Sequence, residues 1–178
     1  MIKNYCHLCG TKLLPRDGEA WRCEGCDSTI YGNPKPCADI ALFNAEGKLL
    51  LSRRARDPEK GRLDLPGGFV DLDETVEQAL TRELEEELGL KVSDHSTPAY
   101  MASRIHKYTF GKEVYDNLVM MFVAQLTVPE AAIQAKDDVA SVEFKFRDEI
   151  KPDEVVEGDY YDYMMRAFEV YKSLKPVG

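Results

Sequence analysis

The sequence predicts an α/β fold: a mixed β-sheet with one helix in the middle and one at the end, preceded by a small N-terminal zinc ribbon. Three observations predict it. Four cysteines fall as two C-x-x-C pairs within the first 26 residues. Strand-like runs follow from residue 38, and two segments, 75–89 and 159–174, carry apolar residues at helical spacing.

The bounds suit that reading. A chain of 178 residues can bury one good core and carry a small appendage. Hydrophobic content of 44% indicates a folded chain. The net charge of −9, from 23 basic and 32 acidic residues, argues against nucleic acid or an anionic membrane as partner, since both select basic surfaces. The first residues, MIKNYCHLCG, contain no apolar signal region, and no stretch approaches 18 apolar residues. A soluble, cytoplasmic protein is expected.

The ribbon comes first. Cys6, Cys9, Cys23 and Cys26 form two knuckles whose spacing suits one tetrahedral zinc ion. Two disulfides in a secreted domain are the alternative, and the missing signal region argues against it. His7 reads as a solvent-facing bystander and Cys37 as a small buried hydrophobe opening the next strand. Lys3, Lys12, Arg16, Arg22 and Lys35 are balanced by Asp17, Glu19, Glu24 and Asp27, so the ribbon lacks a basic patch. Residues 1–32 are expected to form the ribbon, 33–37 a stiff, proline-rich linker, and 38–178 the second domain.

In that domain, residues 38–43 and 48–54 read as strands around the turn NAEG, 98–110 and 114–127 as a long hairpin turning near Gly111 and Lys112, and 139–146 as a further strand. Thr75 and Gln78 make a capping box and Gly89 a C-cap for the middle helix. Before it, Pro66, Gly67 and Gly68 predict a tight, exposed strand-to-loop backbone. In the last helix, Tyr160, Met164, Ala167, Phe168 and Tyr171 form a stripe that reads as packing against the sheet.

The middle helix poses a problem. Val76, Ala79, Leu80, Leu84 and Leu88 make its apolar stripe, yet Glu83 and Glu87 land inside that stripe and Glu86 on its edge. Unpartnered buried carboxylates cost several kcal/mol each and repel one another. Arg82 is expected to neutralise only one. A hard cation, Mg²⁺ or Mn²⁺, solves the problem because it prefers oxygen ligands. Glu83, Glu86 and Glu87 stand at i, i+3 and i+4 and are expected to converge beside the helix, where the 67–68 loop can bring a carbonyl. A solvated acidic face is the alternative. The phase disfavours it, since Glu77 and Glu85 already supply the solvent-facing acids.

Gly68-x5-Glu74-x7-Arg82-Glu83-Leu84-x-Glu86-Glu87-x-Gly89-Leu90 fits the Nudix box at every defined position. With the ribbon and linker, the chain resembles the zinc-ribbon Nudix hydrolases, a group that includes NADH pyrophosphatases. The resemblance implies an α/β/α sandwich and metal-dependent hydrolysis of small-molecule nucleoside diphosphates linked to another moiety. It implies that Glu83, Glu86, Glu87 and the Gly68 carbonyl hold Mg²⁺ or Mn²⁺, that Arg82 orients Glu83, and that Glu74 supports the loop–helix geometry. Relatives are often homodimers, and the sequence shows no interface.

Remaining roles stay open at this level. The base is Glu83 or an acid from a later loop, where Asp137 and Asp138 precede a strand and Asp138 is the candidate fourth acid; a polar turn is the alternative. Arg53 and Arg54, with Arg56, are candidates for phosphate contact, although strand ends are often basic for no such reason. Tyr100, Tyr108 and Tyr115 could stack on a base or simply pack. The SQPWPFPxS-like array of NADH pyrophosphatases is missing after Leu90. ADP-ribose or a dinucleotide such as FAD or NADH is expected as substrate. The alternatives are a triphosphate pool-sanitising enzyme and a non-catalytic sensor or zinc-ribbon binding module. Such sensors lose box carboxylates, and none is lost here.

Overall fold

The computed structural model describes residues 4–14, 20–111 and 113–174. Lys3, Arg16, Asp17 and Glu19 of the ribbon's charge balance, and Lys112 of the expected turn, lie outside them. The ribbon contributes β1 (Ala20–Arg22) and β2 (Thr29–Tyr31), an antiparallel pair with Trp21 opposite Ile30. Cys6, Leu13, Trp21, Cys23 and Ile30 form its own small buried cluster.

The second part is a seven-stranded mixed sheet made by β3 (Lys35–Phe43), β4 (Leu49–Arg54), β5 (Leu63–Asp64), β6 (Gly67–Phe69), β7 (Ala99–Phe110), β8 (Glu113–Gln125) and β9 (Val139–Lys145). The helices are α1 (Val76–Leu88) and α2 (Tyr160–Ser173). β3 and β8 pair in parallel, and the other pairs are antiparallel. Alternation along β3 separates two layers. Ala38, Ile40 and Leu42 meet Leu80, Leu84 and Leu88 of α1 on one face. Cys37, Ala41 and Phe43 meet Met164, Ala167 and Phe168 of α2 on the other. The result is the α/β/α sandwich expected above.

Local signals hold at both ends of α1. Thr75 Oγ1 accepts from the Gln78 amide, the Gln78 side chain accepts from the Thr75 amide, and Gly89 closes the helix in the left-handed conformation, φ 67°. The expected stripe of α2 is buried at Tyr160, Met164, Ala167 and Phe168, while Tyr171 stacks on Phe43 at 4.2 Å. No helix among the described residues is long and apolar enough to cross a membrane.

Two expectations require correction. β3 starts at Lys35, inside the expected linker, because Lys35 and Pro36 already pair with Asn117 and Leu118 of β8. Pro36 lacks an N–H but still offers its carbonyl, which accepts from the Val70 amide at 3.0 Å. The 63–69 segment is also less exposed than expected: it holds two short strands, and Leu65 and Pro66 are buried. Pro66 accepts from the Ile40 amide at 3.0 Å, which draws the loop into the sheet.

Phe43 is fully buried, stacked on Tyr171 and edge-on to Phe168 at 5.0 Å, so it ties α2 to the sheet. Phe43→Ala should cost about 3–5 kcal/mol. Urea denaturation checks this, and a loss below about 1 kcal/mol would show that α2 is anchored elsewhere.

Candidate active site

The edge of β3 is shared between two strands. Its C-terminal end pairs with β4 (Phe43 with Leu49), and its N-terminal half pairs with β6 (Cys37, Ala38 and Asp39 with Phe69, Gly68 and Gly67). The two glycines make this approach possible. Gly67 sits at φ 142°, where a Cβ would lie 2.2 Å from the Ala38 carbonyl oxygen. A Cβ on Gly68 would lie 2.3 Å from Glu83 Oε1, so the Glu83 carboxylate rests directly on that backbone. The Gly67 amide donates to Glu87 Oε2 at 3.1 Å.

Arg82 does more than the sequence suggested. It was expected to neutralise a single carboxylate, but its guanidinium donates to Glu74 at 3.0 Å from both Nε and Nη2, and from Nη1 to Glu83 at 2.8 Å and Glu86 at 3.1 Å. Nη2 also donates to the Phe69 carbonyl at 2.9 Å. The planar fork of arginine makes this sharing possible. Glu74 in turn accepts from the Asp71 amide, linking the loop to the helix. The three box glutamates are graded in burial: Glu87 is buried, Glu83 half-buried and Glu86 exposed. Their expected convergence is incomplete. Among the described residues, no three carboxylates lie within 4.8 Å of one another, because Arg82 holds Glu83 and Glu86 while the Gly67 amide holds Glu87.

Glu83 and Glu87 open into a cleft of about 370 Å³ with Asp39, Asp64, Asp137 and Asp138. Burial pushes the Glu87 carboxyl up to about 9, with the Asp138 charge next in effect. Glu83 is raised too, by burial first. A larger hollow on the outer face of α1, lined by Glu77, Gln78 and Glu85, holds none of these groups except Arg82 and Glu86. Mutually repelling, half-buried carboxylates with all-oxygen donors fit a hard divalent cation.

The other candidates divide. Arg54 lines the cleft and pairs with Asp64 at 2.9 Å. Arg53, its neighbour on the opposite face of β4, binds Glu143 and the Gly61 carbonyl outside the cleft. Arg56 pairs with Asp137 at 3.2 Å. Tyr108 lines the cleft, Tyr115 lies beneath Lys35, and Tyr100 is exposed against Phe122. Asp39, His106 and Asn117 also line the cleft and escaped the sequence reading, and Tyr160, expected only to pack against the sheet, lines it too. Asp39 offered one signal, an acid inside the apolar run ADIALF. The Tyr160 hydroxyl donates to Asp39 Oδ2 at 3.0 Å.

In the ribbon, the thiols of Cys6, Cys9, Cys23 and Cys26 all lie within 4.8 Å of one another, positioned to bind a metal. Cys6 and Cys26 are 3.8 Å apart and Cys9 and Cys23 3.5 Å. The Ser28 hydroxyl lowers the Cys6 thiol to about 6 and Thr11 lowers Cys9, favouring their thiolates, whereas burial pushes Cys23 up to about 11. His7 is exposed and outside this set.

Against known families, residues 33–165 match the NUDIX domain. The chain belongs to the Nudix family. Over 61 residues it is 44% identical to an ADP-ribose pyrophosphatase of Methanocaldococcus jannaschii, covering 34% of this chain and 36% of that one. Over 91 residues it is 36% identical to the NAD-capped RNA hydrolase NudC of Shigella flexneri, covering 51% and 35%. The aligned regions span only about a third of those relatives' lengths. A NUDIX hydrolase of Nitrosomonas europaea shares the fold over 98% of this chain and 95% of its own, with TM-score 0.71 and 23% identity. The NUDIX domain of Shewanella oneidensis NrtR, complexed with ADP ribose, matches 79% of this chain and 90% of its own, with TM-score 0.63 and 20% identity.

Two outcomes follow from this geometry. Burial raises the Asp39 carboxyl from 3.8 to about 8, with Asp64 adding to it. Across that window the folded chain keeps a proton that the unfolded chain has released, so metal-free stability falls as pH rises. Asp39→Asn should flatten the fall, read by denaturation between about pH 5 and 8; an unchanged slope assigns the proton elsewhere. Gly67→Ala should lower stability by several kcal/mol through its clash with the Ala38 carbonyl, and a thermal midpoint equal to wild type would refute the close approach.

Proposed function

We propose that this Nudix chain hydrolyses the diphosphate linkage of a nucleoside diphosphate derivative, with ADP-ribose or a dinucleotide such as FAD or NADH ahead of any nucleoside triphosphate. One observation carries it: buried Glu87 and half-buried Glu83 share a cleft with Asp138, an arrangement that repels itself unless a cation is present. The names of the Methanocaldococcus and Shigella relatives support a diphosphate-linked adenine nucleotide. The net charge of −9 disfavours a long nucleic-acid tail on it.

In this reading Glu83, Glu86, Glu87 and the Gly68 carbonyl hold Mg²⁺ or Mn²⁺. When bound, the cation neutralises the diphosphate and acidifies a water. Arg82 orients Glu83 and Glu86, and its link to Glu74 keeps the loop against α1. The Gly67 amide holds Glu87 in place. Asp138 is our candidate to accept the proton from the attacking water, because it lies in the same cleft without an ion pair among the described residues; Glu83 is already engaged by Arg82. Arg54 is the candidate phosphate contact, and Arg53 is not. We assign zinc to Cys6, Cys9, Cys23 and Cys26, with residues 1–32 as its domain, 33–34 as the connector and the catalytic domain starting with β3 at Lys35.

Glu86→Gln or Glu87→Gln should lower kcat by roughly three decades or more with the fold intact by circular dichroism. Near-normal turnover of either variant would remove these acids from the metal site. Relative kcat/KM for ADP-ribose, FAD, NADH and 8-oxo-dGTP tests the substrate order: a lead of more than about tenfold for the triphosphate would reverse it. Elemental analysis of purified protein should find one tightly held zinc per chain, and disulfide-paired cysteines without zinc would end that assignment.

A further inference from the structure

One acid of the cleft lies outside the Nudix box and has no part in the reading above. Asp39 of β3 is 6% exposed, and strand alternation puts it on the α2 face of the sheet with Cys37, Ala41 and Phe43, all apolar and buried. The Tyr160 hydroxyl donates to Asp39 Oδ2. A neutral acceptor, such as the amide of an asparagine, would serve that hydroxyl equally well. What the carboxylate adds is charge, and buried charge is costly unless a cation offsets it. Arg54 of the cleft wall pairs with Asp64, and Arg104 of β7 with Asp159, so neither forms an ion pair with Asp39.

The aim of this carboxylate is specific. A Cβ on Gly67 would lie 2.9 Å from Asp39 Oδ1, so that oxygen rests against the Gly67 backbone. The Gly67 amide donates to Glu87 Oε2 at 3.1 Å. One glycine is therefore flanked by a carboxylate from β3 and by another from α1, and both line the cleft. The rotation of Asp39 depends on Tyr160, whose ring is itself fixed. The Arg104 guanidinium lies 3.8 Å over that ring, and His106 meets it edge-on at 5.5 Å. With Oδ2 engaged by Tyr160, Oδ1 is left to the cleft.

We propose that Asp39 is a further oxygen donor to the divalent cations of this cleft, and that Tyr160 is the positioning residue that aims it. The proposal rests on the cation-dependent reading above and extends it. The box supplies carboxylates from the α1 side of Gly67, and Asp39 supplies one from the α2 side, directly or through a bridging water.

The test is Mn²⁺ titration of the full chain with its ribbon metal in place, free Mn²⁺ being read by electron paramagnetic resonance. The ribbon thiolates are too soft to compete for this ion. Asp39→Asn keeps the shape and an acceptor for Tyr160, and should weaken Mn²⁺ binding about 10- to 100-fold. Tyr160→Phe keeps the ring and removes the hydroxyl, and should weaken binding about threefold. Added to Asp39→Asn, Tyr160→Phe should cost nothing more, because its effect runs through Asp39. An Asp39 that merely anchors α2 would shift the unfolding midpoint and leave Mn²⁺ affinity unchanged. Unchanged affinity in folded Asp39→Asn, or in Tyr160→Phe should the first variant not fold, overturns the proposal; additive losses in the double variant overturn the role of Tyr160. Glu87→Gln separates this inference from the reading beneath it. Binding lost there but kept in Asp39→Asn overturns Asp39 alone, and binding kept in both overturns the cation site as well. Mn²⁺ binding that weakens in Asp39→Asn, while wild type hydrolyses no diphosphate derivative, supports the donor and overturns the diphosphatase reading.

Discussion

The contact on which the rest of this structure depends is the approach of Gly67 and Gly68 to the half-free edge of β3. It exists because β4 pairs only at the end of β3, leaving Cys37, Ala38 and Asp39 to β6. A side chain at Gly67 would strike the Ala38 carbonyl, and one at Gly68 would strike the Glu83 carboxylate. Two residues without Cβ atoms therefore let carboxylates from the α1 layer emerge in a cleft whose other walls belong to the α2 face of the sheet. The box helix and the far wall of the cleft meet through that gap.

Concentrating acids there works against folding. Burial raises Glu83, Glu87, Asp39 and Asp64 together, and each also feels its neighbours' charges. Arg82 and Arg54 offset part of this, Arg82 by dividing its donors among Glu74, Glu83 and Glu86, and Arg54 through Asp64. The apolar layers on both sides of the sheet supply the stability that tolerates the remainder. Residual repulsion is the property that makes the site receptive to a cation. The ribbon follows a different logic: its described residues bury five side chains in their own cluster, and its cysteines stand where a larger core would otherwise be needed.

Much of this was legible from residue types at short spacing. The capping box at Thr75 and Gln78, the C-cap at Gly89, the α1 stripe and the long hairpin each depend on neighbours within a few residues or on simple alternation. The grading of the box glutamates also followed from helical phase, with Glu86 at the edge emerging exposed. Arg82 was underestimated because spacing counts partners along the helix, whereas Glu74 and the Phe69 carbonyl reach it from the preceding loop. Arg53 and Arg54 looked equivalent as text. The pleat of β4 sends one into the cleft and the other to Glu143.

By itself the sequence determined the cysteine pairs, the box helix with its acids, and the order of the longer strands and the two helices, because each is encoded in local periodicity, capping and residue spacing. Only the tertiary structure decided that Asp39 and Tyr160, 121 positions apart, would share a proton-bearing contact. It also decided that the His106–Asn117 pair of the hairpin would stand in the same cleft as Asp39 and Glu87. Those meetings join distant parts of the chain: α2 must pack on the sheet to bring Tyr160 to Asp39, and the parallel union of β3 with β8 must form to set the hairpin beside Asp39.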